Sequence, residues 1–305
     1  MAFQLKILGA NSATPAFGRH PTSQLLTVEN FHCLIDCGEG CQMQLIRYRT
    51  KPSKITHIFI SHLHGDHFYG LIGLLNTFSL SGRTDALSIF GPPGLADVIR
   101  VQLRQSHTVL KYPTHFTPLE ADVSACIYDG PSLRVSTLPM DHRIPCSGFL
   151  FRESPKPRRI DKEKLSDDLS VDDFKALKAG EDLYHADGTL RHRNEDLTLP
   201  PRRSRSYAYC ADTRYQASLA DAVREVDLLY HEATFMHAEA ELAAARYHST
   251  TVQAATLAKE ARVGQLLIGH YSSRYRDLNP LLTEAQAVFP RTQLALEGHD
   301  YPVAD

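Results

Sequence analysis

Four side chains that can bind a metal ion lie within six residues of this chain, directly after a run typical of a buried strand. The motif is Ser61-His62-Leu63-His64-Gly65-Asp66-His67, and the run before it is residues 54–60, Lys-Ile-Thr-His-Ile-Phe-Ile. Imidazole nitrogens and carboxylate oxygens suit a divalent ion such as zinc. Four ligands in one turn are too crowded for one tetrahedral ion, so the motif indicates two neighbouring ions. The alternative is a polar loop with histidines present by chance, although a random match is expected only on the order of a few times per thousand sequences.

Three further β-prone runs each deliver a histidine or an aspartate just past their carboxyl ends. Residues 133–138 run into His142, residues 207–210 into Asp212, and residues 265–268 into His270. Alone, each of these three residues would be more typical of a capping or solvated loop position. Because the same placement recurs, we predict that they are companion ligands of the metal motif.

Further motifs extend over nearly the whole chain. They are residues 8–15 (Leu-Gly-Ala-Asn-Ser-Ala-Thr-Pro), 34–40 (Leu-Ile-Asp-Cys-Gly-Glu-Gly), 210–213 (Cys-Ala-Asp-Thr), 231–235 (His-Glu-Ala-Thr-Phe), 248–250 (His-Ser-Thr) and 269–275 (Gly-His-Tyr-Ser-Ser-Arg-Tyr). Together with the metal motif, they make the chain resemble the metallo-β-lactamase superfamily and, within it, ribonuclease Z, the endonuclease family that trims the 3′ end of precursor tRNA. The metal motif identifies only the superfamily, whereas the last three motifs are far more specific to ribonuclease Z.

The resemblance implies a fold and a ligand set. The fold is α/β, a metallo-β-lactamase-like αββα sandwich of two sheets with metals at one edge and an inserted protruding arm. Two Zn²⁺ ions per subunit are implied, and other divalent ions are compatible with the same ligands. The implied ligands are His62, His64 and His142 for one ion, Asp66, His67 and His270 for the other, and Asp212 as the bridge between them.

Short strands alternate with helices along the chain, which agrees with helices covering the outer faces of sheets. The predicted strands lie near residues 3–9, 23–28, 32–36, 55–60, 87–90, 206–211, 227–230 and 265–269. The predicted helices lie near residues 67–79, 94–105, 216–225 and 250–262.

The implied activity is zinc-dependent removal of the 3′ trailer from precursor tRNA, which leaves a 3′-hydroxyl on the tRNA. Two zinc ions permit metal-hydroxide attack on the phosphodiester by lowering the pKa of bound water to about 7. Asp66 is placed to accept the proton of that water. Because the departing 3′ oxygen needs an acid outside the metal ligands, His248 is the candidate acid and Glu232 its orienting partner. The alternatives are a surface histidine at His248 and a purely structural hydrogen bond at Glu232.

Arginines are candidate substrate contacts. Arg274 of the Ser-Ser-Arg-Tyr motif is placed to hold a phosphate beside the metals, and Arg19 in the N-terminal loop to meet the tRNA 3′ terminus. A surface salt bridge is the alternative for both. Arg158 and Arg159 belong to a basic cluster, for which phosphate contact competes with an ordinary solvated surface. Phe17 is able to stack on an unpaired base, but core packing is the expectation for its ring.

A charged insertion interrupts the pattern. The chain's net charge of -2 does not favour a nucleic-acid partner, because cationic side chains supply much of such binding. Basic clusters nevertheless stand at both ends of a segment at about 152–204. We predict a single metallo-β-lactamase domain over 1–305 with this segment as the arm, implied by the resemblance to grip precursor tRNA. The family's usual Gly/Pro-rich arm motif is missing, and residues 169–180 in its place predict a short helix starting at Ser170, with Asp173 as its capping partner.

Cellular context follows from simpler features. The sequence has no apolar run near membrane-spanning length and no signal-peptide layout, which predicts a cytoplasmic protein without a membrane partner. Its six cysteines form no Cys-x-x-Cys pair, so reduced thiols are expected. The resemblance also implies a homodimer in which the arm of one subunit serves the active site of the other.

Two other classes of function stay open. One is a superfamily hydrolase of small phosphodiesters, cyclic nucleotides, thioesters or sulfate esters. The other is a binding module without catalysis. The arm and His248 argue against the first class, because a small substrate needs neither. The complete ligand set argues against the second.

Overall fold

A seven-stranded sheet lies within the described residues, 3–165 and 168–304, of the computed structural model. Its strands are β1 (Phe3–Gly9), β2 (Ser23–Val28), β3 (Phe31–Cys37), β4 (His57–Phe59), β5 (Leu87–Gly91), β6 (Thr114–Pro118) and β18 (Asp300–Pro302). The order across the sheet is β18-β1-β2-β3-β4-β5-β6. Strands β3 to β6 are parallel, so their carboxyl ends meet at the same edge.

A second sheet, also of seven strands in the described part of the chain, packs against the first. Its strands are β7 (Cys126–Asp129), β8 (Leu133–Pro139), β9 (Ser147–Glu153), β14 (Ser206–Cys210), β15 (Leu228–Glu232), β16 (Gln265–Gly269) and β17 (Thr292–Leu294). The order is β17-β16-β15-β14-β9-β8-β7, with β14 to β17 parallel. The carboxyl ends of these parallel strands therefore also lie at one edge.

Ten α-helices lie within the described residues. They are α1 (Cys41–Arg47), α2 (Gly65–Phe68), α3 (Leu71–Leu80), α4 (Leu95–Gln105), α5 (Val171–Ala179), α6 (Asn194–Leu197), α7 (Leu219–Ala222), α8 (Ala240–Ala245), α9 (Thr251–Glu260) and α10 (Asn279–Val288), with 3₁₀ turns at Pro52–Lys54, Lys162–Lys164 and His237–Glu239. Helices α1, α3 and α4 share an apolar cluster with the first sheet, and α9 and α10 pack on the second.

Alternation along the strands explains the layers. In β3, Cys33 and Ile35 belong to the core between the sheets, whereas Leu34 belongs to the cluster under the helices, because successive side chains of a strand point to opposite faces. Across the sheets, the rings of Phe59 and Phe149 lie 5.5 Å apart. Full burial of such a side chain contributes about 1.5–3 kcal/mol relative to exposure. Burial of apolar side chains on both faces of each sheet therefore stabilises the layered sandwich.

Residues 153–204 form a compact unit of their own. Helices α5 and α6 lie in this unit with two strand pairs, β10 (Arg159–Ile160) with β13 (Thr198–Leu199) and β11 (Leu183–Tyr184) with β12 (Leu190–His192). A small core of Leu177, Leu183 and Leu197 holds the unit together. The helix predicted at Ser170 is confirmed, since the Ser170 and Asp173 side chains each accept a hydrogen bond from the other residue's backbone N–H.

Most of the predicted strands are confirmed to within two residues, but two helix predictions were wrong in extent. The helix expected at 67–79 is broken into α2 and α3. It breaks at Gly70, whose N–H donates to the Cys37 carbonyl (2.9 Å). A Cβ at Gly70 would lie 2.2 Å from the Gly38 oxygen, which explains the glycine. The helix expected at 216–225 shortens to α7.

Among the described residues, no helix has both the length and the apolar character needed to cross a membrane. The cysteines of the chain are free thiols, as expected, and all except Cys126 are buried.

Candidate metal centre and cleft

The seven predicted ligands follow the carboxyl ends of four strands. His62, His64, Asp66 and His67 follow β4, His142 follows β8, Asp212 follows β14, and His270 follows β16. The fold thus brings together residues that are more than 200 positions apart in sequence. His64 is the residue before α2, and Asp66 and His67 lie in that helix, which explains how one turn directs ligands to two places.

The first ligand group consists of His62, His64 and His142. Their ring nitrogens converge, with His64 Nδ1 lying 3.0 Å from His62 Nε2 and 3.1 Å from His142 Nε2. Asp212 Oδ2 lies 3.8 Å from His62 Nε2 and 3.9 Å from His142 Nε2. Three imidazole nitrogens and one carboxylate oxygen directed at a common point form the donor set of a tetrahedral zinc site.

The second ligand group consists of Asp66, His67 and His270. Asp66 Oδ2 lies 3.5 Å from both His67 Nε2 and His270 Nε2. The other oxygen of Asp212, Oδ1, lies 3.5 Å from His67 Nε2 and 3.1 Å from His270 Nε2. The two oxygens of Asp212 therefore face different ligand groups, which is the geometry that a bridging carboxylate requires.

Three buried atoms, two of the second ligand group and one of the bridging Asp212, indicate a cation position. His67 Nε2, Asp212 Oδ1 and His270 Nε2 have no hydrogen-bond partner in the described residues. A buried polar atom without a partner is costly, and a divalent cation between these atoms would satisfy all three at once. The residues present therefore fit a metal ion.

The charges of the ligand side chains also suit a bound divalent cation. Burial lowers the pKa of the His62, His64 and His142 imidazoles below the ordinary value, so these rings are neutral, as metal ligation requires. Burial opposes the charged form of His67 also, but the carboxylates of Asp66 and Asp212 raise its pKa well above the ordinary value. The second group thus carries an excess of negative charge that a divalent ion would balance.

Asp36 supports the second ligand group and was not predicted. It is fully buried, and its Oδ2 accepts hydrogen bonds from His67 Nδ1 (2.7 Å) and from the Tyr209 hydroxyl (2.6 Å). The bond to Nδ1 leaves Nε2 of His67 directed at the metal position, as carboxylates commonly do for ligating histidines. The sequence signal for it is a lone carboxylate inside the apolar strand β3.

His248 stands beside the ligands without belonging to either ligand group. Its Nδ1 lies 2.9 Å from Glu232 Oε1 and 3.9 Å from Asp212 Oδ2. Burial alone would lower the pKa of His248, but the Glu232 carboxylate raises it to about 9. The Thr250 side chain, two residues further on, caps α9 and so fixes the backbone that carries the imidazole.

Glu232 is fully buried, and both of its carboxylate oxygens accept hydrogen bonds. Besides His248, its Oε1 accepts from the Thr213 N–H (2.8 Å), and its Oε2 from the Ser249 N–H (3.1 Å) and the Thr234 hydroxyl (2.5 Å). The same hydroxyl lies 2.9 Å from His270 Nδ1. Glu232 therefore joins the segments that carry Asp212, His248 and His270. His231 next to it is buried and hydrogen-bonds the Glu232 carbonyl (2.7 Å), as a packing residue would.

An open cleft of about 540 Å³ exposes this centre to solvent. Its walls include ligands from both groups together with His248. Three arginines border it as well, namely Arg143, Arg246 and Arg274. A cleft with metal ligands at its floor and guanidinium groups at its sides suits an extended polyanion better than a neutral ester.

Comparisons with known proteins identify the family. Ribonuclease Z of Cytophaga hutchinsonii is 49% identical over 305 residues, which cover 100% of this chain and 97% of that protein. This chain belongs to the ribonuclease Z family. Ribonuclease Z of Bacteroides thetaiotaomicron is 44% identical over 97% of this chain and 94% of its own length. The predicted family and the enzyme class, a metal-dependent endoribonuclease, are thereby confirmed.

Solved structures confirm the metallo-β-lactamase fold of this chain. The short form of human tRNase Z is 28% identical, with a TM-score of 0.69, over 99% of this chain and 100% of that chain. YhfI of Bacillus subtilis, a metallo-β-lactamase fold protein, has a TM-score of 0.67 at 20% identity. A family described as "Anti-Pycsar protein Apyc1" matches residues 3–118, which is less than half of this chain.

The predicted substrate contacts differ in how many hydrogen bonds their guanidinium groups already make within the chain. Arg274 Nη1 donates to Glu239 (2.7 Å), and its side chain is half exposed. The Arg19 guanidinium donates to Asn11 Oδ1 (2.9 Å) and to backbone carbonyls of the 275–276 turn, so it holds the N-terminal loop in place. The expected core packing of Phe17 was wrong, because the ring is 53% exposed, with the Arg19 guanidinium 5.3 Å from its centroid.

Arg158 and Arg159 lie in the 153–204 unit. Arg158 Nε donates to Thr198 Oγ1 (2.7 Å), and Arg159 Nε donates to the Pro200 carbonyl (3.0 Å). Each guanidinium is thus anchored through one nitrogen. Their terminal nitrogens form no hydrogen bond with other described residues.

Proposed function

We propose that this enzyme removes the 3′ trailer from precursor tRNA with two Zn²⁺ ions, one in each ligand group, and leaves a 3′-hydroxyl on the tRNA. The observation that carries this proposal is Asp212, whose two oxygens face the two groups. When bound, the ions supply hydroxide at neutral pH and stabilise charge on the phosphoryl oxygens. The remaining steps fall to side chains of the chain itself.

Asp66 is the proposed base. Its Oδ2 is directed at His67 and His270 and accepts a hydrogen bond from the Ala13 N–H (2.8 Å). Burial would raise the pKa of Asp66, but the neighbouring imidazoles lower it well below the ordinary value, so it is anionic. Its Oδ1, which has no hydrogen-bond partner among the described residues, is left to accept the proton of the attacking water.

His248 is the proposed acid for the departing 3′ oxygen of the tRNA. It borders the cleft, and its Nδ1 is occupied by Glu232, so Nε2 is the nitrogen that faces the substrate. Pairing with a buried carboxylate keeps the imidazole protonated at neutral pH. Glu232 orients the ring and balances its charge.

The 153–204 unit is proposed to be the arm that grips the tRNA body, with Arg158 and Arg159 as phosphate contacts and Arg274 as a contact in the cleft. We also propose a homodimer in which this arm serves the site of the partner subunit. The molar mass of the purified protein in solution tests that assembly, and a mass of one chain at micromolar concentration would rule it out.

The central test of this function is cleavage of a precursor tRNA labelled at both ends. We expect two products, a tRNA with a 3′-hydroxyl and a trailer with a 5′-phosphate. Cleavage should stop with a chelator and return with added Zn²⁺, because the supply of hydroxide at neutral pH depends on bound divalent ions. Hydrolysis of a small chromogenic phosphodiester without cleavage of precursor tRNA would instead support the alternative class of hydrolase.

Deletion of the arm should weaken binding of precursor tRNA by roughly tenfold or more, because phosphate contacts supply much of such affinity. The deletion is feasible because Arg152 of β9 pairs directly with Ser206 of β14, so a short Gly-Ser turn can replace residues 154–204. Turnover of a small chromogenic phosphodiester should be preserved. The Arg158→Gln, Arg159→Gln double variant keeps the arm in place and should show part of the loss in precursor tRNA binding. Equal loss on both substrates would contradict the assigned role of the arm.

A further inference from the structure

Two arginines of the cleft have no role in the mechanism above. Arg143 comes one residue after His142, and Arg246 comes two residues before His248. Both side chains are exposed and border the cleft. Across the part of the chain that the structure describes, neither guanidinium makes a hydrogen bond or an ion pair. The remaining arginine of the cleft, Arg274, is paired with Glu239.

The two arginines project from one wall of the cleft. His142 Nδ1 donates to the Tyr247 carbonyl (3.2 Å), which places the segment with Arg143 against the segment with Arg246. Each arginine is a direct chain neighbour of one partner of this hydrogen bond. The two guanidinium groups are therefore offered to the same region of the cleft.

A separate arginine stiffens this wall. Arg214 makes a two-pronged ion pair with Asp141 (2.9 and 3.0 Å), and its guanidinium lies 4.2 Å from the centroid of the Tyr247 ring. The Arg214 N–H also donates to the Asp141 carbonyl (3.0 Å). Because Asp141 is occupied in this way, it does not neutralise Arg143, and the wall keeps two uncompensated positive charges on a fixed backbone.

Two guanidinium groups without counter-ions on adjoining segments make this side of the cleft electropositive, and a bound anion would balance that charge. A phosphodiester is the anion that suits them, since the planar guanidinium presents paired donors that match two phosphate oxygens. Each uncompensated charge also adds to the attraction of a polyanionic strand into the cleft. These two side chains therefore have the properties of a phosphate subsite.

The position of His248 decides which phosphate is bound. On the proposed function, this residue protonates the 3′ oxygen of the tRNA, so its wall faces the tRNA side of the scissile bond. We propose that Arg143 and Arg246 together bind the phosphate one linkage on the 5′ side of the scissile phosphate, between the last two nucleotides of the tRNA product. The subsite holds the end of the tRNA in register, and the choice of cleavage position depends on it.

The test compares Arg143→Gln, Arg246→Gln and the double variant with Arg104→Gln, a control at an exposed arginine of α4 outside the cleft. For the double variant, we expect kcat/KM for precursor tRNA to fall about tenfold or more. The slope of log kcat/KM against log salt concentration should become shallower by about 0.7 per lost contact with single-stranded RNA. The control should match the wild type in both measurements.

A precursor tRNA with one uncharged methylphosphonate linkage assigns the position. At the linkage 5′ to the cleavage site, the neutral group should slow the wild type about as much as the double variant is slowed, and should slow the double variant little further, because coupled losses are not additive. At the linkage 3′ to the cleavage site, the neutral group should lower kcat/KM of the wild type and of the double variant by equal factors.

The proposal is overturned if the double variant keeps the wild-type salt slope, or if the 5′ methylphosphonate slows wild type and double variant equally. Metal content and thermal melting establish that the variants are folded. In each single variant, the salt slope should change by half as much as in the double variant. Failure of the wild type to cut precursor tRNA would refute the proposed function instead, so the two failures are distinguishable.

Discussion

The Asp212→Asn change should lower single-turnover cleavage of precursor tRNA by roughly four orders of magnitude or more, because loss of a metal ion raises the pKa of the attacking water far above the value of about 7 that bound ions would give it. The reason lies in the two oxygens of Asp212, which lie 3.1–3.9 Å from histidine nitrogens of both ligand groups. An amide offers one neutral oxygen and so cannot bridge two cations. Elemental analysis should show at least one metal ion fewer per chain.

Asp221→Asn is the matched control for this change. Asp221 is an exposed carboxylate of α7 that pairs only with Arg224 among the described residues, so its loss should alter neither metal content nor rate. Surface ion pairs of this kind contribute about 0–1 kcal/mol, and the melting temperature should stay close to that of the wild type. Full metal content with wild-type turnover in Asp212→Asn would remove the bridging role from this residue.

The ligand positions were accessible from the sequence because they depend on local rules. A strand that ends in a turn puts the next few side chains at the edge of its sheet, and β4, β8, β14 and β16 all obey this rule. Within the second sheet, β14 and β16 run parallel to β15 between them, so their carboxyl ends lie at one edge. His64 and His270 follow strands of different sheets, and they come together only because the two sheets pack face to face.

Asp36 shows what local rules leave out. It lies in β3, and its neighbour Ile35 pairs with Phe59 of β4, so only the pairing of these strands brings its carboxylate to His67. Its bond to Tyr209 comes from the other sheet. A buried carboxylate within an apolar strand is a visible signal of such a role, but its partners depend on the tertiary structure.

Short elements and loop side chains were missed for a related reason. The strands β17 and β18 have three residues each, so their existence depends on pairing with β16 and β1 rather than on a periodic pattern. Phe17 lies in a loop whose backbone is tied down by Arg19. The apolar character of a ring gives no information about which way such a loop turns it.

His248→Ala should lower single-turnover cleavage of precursor tRNA by about two to four orders of magnitude, the usual range for loss of a general acid. Its metal content should be unchanged, because the imidazole belongs to neither ligand group. The pairing with Glu232 that raises the pKa of His248 to about 9 keeps the imidazole protonated at neutral pH. His115→Ala, a change at an exposed histidine of β6, is the control and should retain the wild-type rate.

A substrate with sulfur in place of the departing 3′ oxygen separates acid catalysis from a structural effect of the same substitution. A thiolate leaves readily without a proton, since the pKa of a thiol is about 8.5, so most of the loss in His248→Ala should disappear on this substrate. A structural effect on the segment before the Thr250 cap would slow the oxygen and sulfur substrates alike. Equal slowing of both substrates, or an unchanged rate on the oxygen substrate, would therefore exclude His248 as the acid.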